Sequence, residues 1–258
     1  MPETLSSHTP IAERRTYRRL ARVDRLVSFQ VTVQETDLKI QAESDLAVLC
    51  REEVLKQRGY IENYIHRHPQ FRTTLNPWEQ TGPAPGIIRK MIAAGWAAGV
   101  GPMAAVAGAV AETVGRALGE HSREFIVENG GDIYLAMKGK ATIGLYAGRS
   151  PLSMRVALQL EPGQQPLAVC TSSGTVGHSL SRGRADAVWI VARDGALADA
   201  AATAAANHVF GQDAIPQTIA WARAIPGVEG VVAVCGNQMG LWGAIRIVRL
   251  DGEKRLEI

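Results

Sequence analysis

Residues 197–207 read Leu-Ala-Asp-Ala-Ala-Ala-Thr-Ala-Ala-Ala-Asn, and this run constrains the chain more than any other. Alanine has the highest helix propensity and fits strands poorly, so the run is a helix. A face of single methyl groups lets a neighbouring element pack at short interaxial distance. Asp199, Thr203 and Asn207 interrupt the run at i, i+4 and i+8 and therefore share one stripe. A carboxylate and a hydroxyl one turn apart are hard oxygen donors that suit Mg²⁺ or Ca²⁺. The same stripe is compatible with a packing helix that turns its polar residues to water.

Such a helix needs a core around it. The chain has 258 residues, enough for one large domain or two small ones. Its net charge of +3 is too weak for a nucleic-acid partner. Cys50, Cys170 and Cys235 show no C-x-x-C spacing, which argues against structural zinc and a disulfide framework and fits a reducing cytoplasm. Residues 1–15 lack the apolar stretch of a signal peptide and read as a loose tail, with residues 16–258 as one domain. Met91–Ala111 carries no charge over 21 residues, but 13 of these are Ala or Gly and Pro102 lies near the middle. Two buried helices broken at Gly99-Val100-Gly101-Pro102 are expected, not a membrane span.

Taken in order, Tyr17–Ala42 reads as strands, with a turn at Glu35-Thr36-Asp37. The arginines at 14, 15, 18, 19, 22 and 25 suit a solvated face or protection of a sheet edge, or else contact with a phosphate or partner. Ser44 or Asp45 suits the N-cap of a helix ending before His68-Pro69. Residues 72–86, with three prolines and two glycines, form a loop between subregions. Residues 123–128 and 133–137 have strand character, and Gly130-Gly131 between them marks a bulge or a place where something approaches the backbone. Short strands follow near 141–147, 153–160 and 166–171, then a buried strand at 187–192. Asp194 N-caps the alanine helix, Gly211 terminates it, and a short helix and strands at 231–235 and 241–250 close the chain. Strands joined by tight turns, with grouped helices, give an α+β fold of mainly antiparallel sheet.

Residues 171–186 are rich in hydroxyls and glycine, and offer donors to an anion or form a connector. Cys170 precedes them, either as a small buried residue or as a thiol activated by backbone donors. No P-loop, no G-x-G-x-x-G after a strand and no G-x-S-x-G elbow is present.

Three segments in order carry a resemblance: Gly130-Gly131-Asp132-Ile133, Ser172 to His178, and Ala198-Asp199-Ala200 followed by Thr203. Together the chain resembles the ApbE-like superfamily over about its last 160 residues. The Thr-Ser-Ser-Gly-Thr-Val-Gly-His-Ser loop is similar to that of the branch designated uncharacterised protein family 0280. The resemblance implies a T-fold-like arrangement of mixed, mainly antiparallel sheet packed with helices. It implies Mg²⁺, FAD and transfer of FMN to a hydroxyl of an acceptor protein. By position, Asp199, Thr203 and the carbonyl of Ala107 become metal ligands. Gly130, Gly131, Asp132, Ser172, Ser173 and Gly174 border the cofactor, and His178 serves as acid or base. Three departures stand against the family pattern: Ala107 where lysine is expected, Glu112 for aspartate, and Ser179-Leu180-Ser181-Arg182 for Ile-Ile-Asp-Pro. Two further readings stay open: Cys170 as a thiol in sulfur or acyl handling, and a non-catalytic flavin- or metabolite-binding module. Self-association into a homo-oligomer stays open with them.

Overall fold

The computed structural model describes Val23 and residues 25–161, 163, 165–173 and 185–250. The first hairpin joins β1 (Val27–Val33) to β2 (Thr36–Ala42). Its turn lies at Gln34-Glu35, earlier than expected, because Thr36 already pairs with Val33. α1 (Ala47–Arg67) follows, with Leu46 at the cap position and Asp45 accepting the Ala47 N–H at 3.0 Å. After a 3₁₀ turn at Pro69–Arg72 and irregular chain come α2 (Gly86–Ala98), a 3₁₀ turn at Pro102–Ala105 and α3 (Val106–Gly119). Gly99 takes the left-handed conformation (φ 69°) that ends α2, and the two helical segments meet at 106°. Among the described residues no single helix is long and apolar enough to cross a membrane.

The remaining strands are β3 (Phe125–Asn129), β4 (Asp132–Ala136), β5 (Ala141–Gly144), β6 (Val156–Leu160), β7 (Leu167–Ser172) and β8 (Ala187–Ala192). Then come α4 (Gly195–His208), α5 (Ile215–Ala222), β9 (Val228–Cys235), β10 (Gln238–Gly243) and β11 (Arg246–Arg249). Eight strands form one sheet in the order β1-β2-β3-β4-β7-β8-β9-β10, and β11-β6-β5 form a second. All the pairings are antiparallel, so the α+β expectation holds.

Strand alternation sorts the core into two layers. Val127, Tyr134, Ala168, Cys170, Val188 and Ile190 face the helices. Their neighbours Ile126, Ile133, Leu135, Val169, Trp189 and Val191 face the small sheet. Arg25 is more than a solvated cation: its guanidinium donates to both oxygens of buried Glu124, at 2.7 and 3.3 Å.

α4 lies inside the helical layer, against α2, α3, β7 and β8 at once. None of its alanines is more than 3% exposed. Methyl-sized side chains allow this enclosure; along the polar stripe Asp199 is buried, and Thr203 and Asn207 are partly buried. Gly130 and Gly131 are the two-residue turn of the β3–β4 hairpin, not a bulge. Asn129 pairs with Asp132 across them, and both have positive φ (67° and 113°), as a type I′ turn requires. The expected strand 241–250 is two strands in different sheets. The break falls at Gly243 (φ 108°), where a Cβ would overlap the Glu229 carbonyl. Gly211 is extended (φ 174°), and α4 has already ended at His208.

The tightest helix contact is the crossing of α3 and α4 at Gly108 and Gly195. A Cβ on Gly108 would overlap the Gly195 carbonyl oxygen and lie 2.8 Å from Asp199 Cβ. Helix propensity alone favours alanine over glycine by about 0.5–1 kcal/mol. Overpacking costs about 1–3 kcal/mol. Gly108→Ala is therefore expected to lower the urea midpoint despite its better propensity, and a raised midpoint would refute this backbone contact.

Candidate functional site

Strand register brings the β3–β4 turn, the end of β7, the start of β8 and the β9–β10 turn to one end of the large sheet. Asp132 opens β4 on the helix-facing side, two residues before Tyr134, and its Oδ1 accepts the Thr171 N–H at 3.0 Å. Cys170 and Ser172 share that face of β7.

Above them lies the first turn of α3. Ala105, at its cap position, has no side chain to satisfy the exposed N–H groups. Asp199 supplies the missing acceptor from 91 residues away, with Oδ2 taking the Gly108 N–H at 2.9 Å. The N-terminal end of a helix favours such a carboxylate. The Ala107 carbonyl accepts from Asn129 Nδ2 at 3.1 Å, and a carbonyl retains a second acceptor position.

This corner is electrostatically costly. Burial, with the charge of Glu128, pushes the Asp132 carboxyl up to about 7 against the opposing hydrogen bonds from Thr171 and Cys170. Burial and then Asp132 push Asp199 well above the carboxylate range, opposed by the N–H groups of Gly108 and Ala107. Among the described residues neither carboxylate forms an ion pair with a lysine or arginine. Of the two readings open for Cys170, the structure agrees with the small buried residue and not with the activated thiol. Its Sγ lies 3.6 Å from the Gly195 carbonyl oxygen, and burial with Asp132 and Asp199 raises its pKa well above the usual thiol range. A thiol so protonated is a poor nucleophile.

Of the other expected residues, Thr203 is partly buried one turn beyond Asp199, Ser172 is buried, and Ser173 is partly buried. The Gly131 N–H is occupied by Glu128 Oε1 at 3.0 Å. Gly174 and His178 lie outside the described residues, as do the arginines before Arg25. Among the described residues no cluster of three His, Cys, Asp or Glu side chains is placed to hold a metal. The expected ligands, the Asp199 carboxylate, the Thr203 hydroxyl and the Ala107 carbonyl, are each hard oxygen donors by type. Asn129 and Gly108 escape a sequence reading, since neither residue type has distinctive chemistry. The one signal for Gly108 is its spacing: Gly108-Ala-Val-Ala-Glu112 repeats as Gly195-Ala-Leu-Ala-Asp199.

This architecture is the ApbE flavin transferase fold. The solved flavin transferase ApbE of Vibrio cholerae aligns with a TM-score of 0.57 at 14% identity, over 87% of this chain and 96% of that one. The apo flavinyl transferase ApbE of Pseudomonas stutzeri gives 0.56 at 12%, over 84% and 93%. The chain belongs to the family described as "AbpE bacteria", which it matches over residues 18–235. It is similar to UPF0280 proteins of Methanocella arvoryzae, at 38% identity over 86% of this chain and 92% of the relative. With that of Methanospirillum hungatei it shares 40% over 87% and 91%.

The buried carboxyls link stability to pH. Asp132 titrates near 3.8 when unfolded and near 7 when folded, so the folded state holds the proton more tightly. That stabilisation is complete below the unfolded value and is lost as pH rises through the folded one. In EDTA, the urea midpoint is expected to fall between about pH 4 and 7, with a shallower fall in Asp132→Asn. An Asp132→Asn profile parallel to the wild type would contradict this linkage.

Proposed function

We propose that this end of the sheet binds FAD with a divalent cation and transfers its FMN part to a hydroxyl on an acceptor protein. One observation carries the reading. Asp199 is a buried carboxylate beside a second one, Asp132, with no cationic side chain paired to it among the described residues. A divalent cation is the partner such a pair lacks, and Mg²⁺ suits the oxygen set of Asp199, Thr203 and Ala107. The fold and the family agree with it: the neighbouring solved structures are flavin transferases.

When bound, the ion supplies neutralisation of pyrophosphate charge. In the transfer, the acceptor oxygen bonds to the FMN phosphorus as the bond from that phosphorus to the AMP oxygen breaks. AMP leaves, and the hydroxyl proton passes to a base, a role this reading gives to His178. Asp199 and Thr203 orient the phosphates, Asn129 orients the Ala107 carbonyl, and Gly130, Gly131, Asp132, Ser172, Ser173 and Gly174 border the flavin. The buried, protonated Cys170 takes no part.

Incubating the protein with FAD, Mg²⁺ and candidate acceptor proteins is expected to release AMP and to leave one acceptor covalently fluorescent. Asp199→Asn keeps an oxygen for the Gly108 N–H but loses the charge, and is expected to slow AMP release by roughly a hundredfold. FAD binding without AMP release across the acceptors would favour a non-catalytic flavin-binding module. Full activity in Asp199→Asn would remove the metal from the reading.

A further inference from the structure

The crossing of α3 and α4 is reciprocal. Gly108 on α3 gives its N–H to Asp199 of α4, and Gly195 on α4 gives its N–H to Glu112 of α3, at 2.9 and 3.0 Å. In each helix the donor glycine stands four residues before the accepting acid, on the same face. Each glycine is required: a Cβ on either would overlap the other's carbonyl oxygen. The two acids thus occupy equivalent places about a local pseudo-twofold axis, yet their surroundings differ. Glu112 is fully buried and bound by Lys90 Nζ and by Arg116 Nε at 2.7 Å. Asp199 has no such pairing among the described residues.

We propose that Glu112 is a positioning residue for the metal site, acting through the Gly195 N–H to seat α4 so that Asp199 meets the first turn of α3. Glu112 is too enclosed, and too fully bonded to two cations, to touch a ligand itself. Its carboxylate fixes the start of α4, one turn before Asp199. The backbone contact at Gly108 and Gly195 leaves the two helices no side-chain cushion, so a shift at one hydrogen bond is passed to the other. Lys90 and Arg116 compensate the charge of Glu112, which is why this acid is closed as a site while its twin is open. The inference rests on the metal reading above for its functional consequence, but not for its geometry.

Two measurements separate these. Hydrogen exchange of the full chain in EDTA reads the geometry alone. Glu112→Ala is expected to cut protection of the Gly108 amide at least tenfold while β8 amides stay protected. Glu112→Gln, which keeps an oxygen for the Gly195 N–H, is expected to restore it. Glu112→Asp keeps the charge but falls one methylene short, and is expected to behave like Glu112→Ala, so the test survives if Glu112→Ala does not fold. Unchanged Gly108 protection in Glu112→Asp would overturn the proposal. Calorimetric titration with Mg²⁺ then reads the consequence: about tenfold weaker binding in Glu112→Asp and near wild-type binding in Glu112→Gln. Wild-type affinity in Glu112→Asp would also overturn it. Absence of Mg²⁺ binding in the wild type, with the exchange pattern intact, would instead defeat the metal reading and leave Glu112 as the clamp of the crossing.

Discussion

Everything at the candidate site depends on one contact, the backbone-to-backbone crossing of α3 and α4 at Gly108 and Gly195. Two helices can come this close only where neither presents a side chain. That closeness lets a carboxylate on each reach the N–H of the other's glycine. The alanines of α4 extend the same economy of volume around its circumference, so the helix can be enclosed on all sides. A leucine or isoleucine at these positions would fill the space that brings Asp199 over the first turn of α3.

The sheet supplies the other half. Its eight antiparallel strands place their turns at two ends, and the pleat assigns each residue to a face. Asp132 therefore faces the helices at the same end where Thr171 gives its N–H and where Asp199 arrives from above. Two carboxylates and a thiol share a buried corner: Asp132 raises the pKa of Asp199, and both carboxylates raise that of Cys170. Such a corner is held together by the surrounding packing, at a cost in stability that a bound cation would offset.

Much of this was legible in the sequence, and the misreadings have identifiable causes. The alanine helix, the strand alternation and the Asp194 cap depend on neighbours in sequence, and these readings agree with the structure within a few residues. At Gly130 and Gly131, two glycines inside an apolar run suggest a bulge or a close approach to the backbone, and they fit a turn equally well. Only the pairing of Asn129 with Asp132 decides between them. The strand expected over 241–250 breaks at Gly243 because the Glu229 backbone approaches there, a contact 14 residues distant in sequence. The sequence leaves Cys170 open between a small buried residue and a thiol whose pKa neighbouring donors would lower. Enclosure beneath α4 reverses the sign of its pKa shift.

By itself the sequence determined most of the helix and strand segments, that Asp199 and Thr203 share a stripe, and that the chain has motifs resembling those of ApbE-like proteins. The first two follow from propensity and periodicity, properties of short stretches; the third rests on the resemblance of three segments to a known family. The tertiary structure alone decided which way the stripe faces, and that the acid in Gly108-Ala-Val-Ala-Glu112 is neutralised while its counterpart in Gly195-Ala-Leu-Ala-Asp199 is not. The two pentapeptides are nearly the same in sequence. What separates them is the company each acid keeps: Lys90 and Arg116 for one, Asp132 for the other. Electrostatic environment is set by groups brought together from distant parts of the chain, and so it does not exist until the chain has folded.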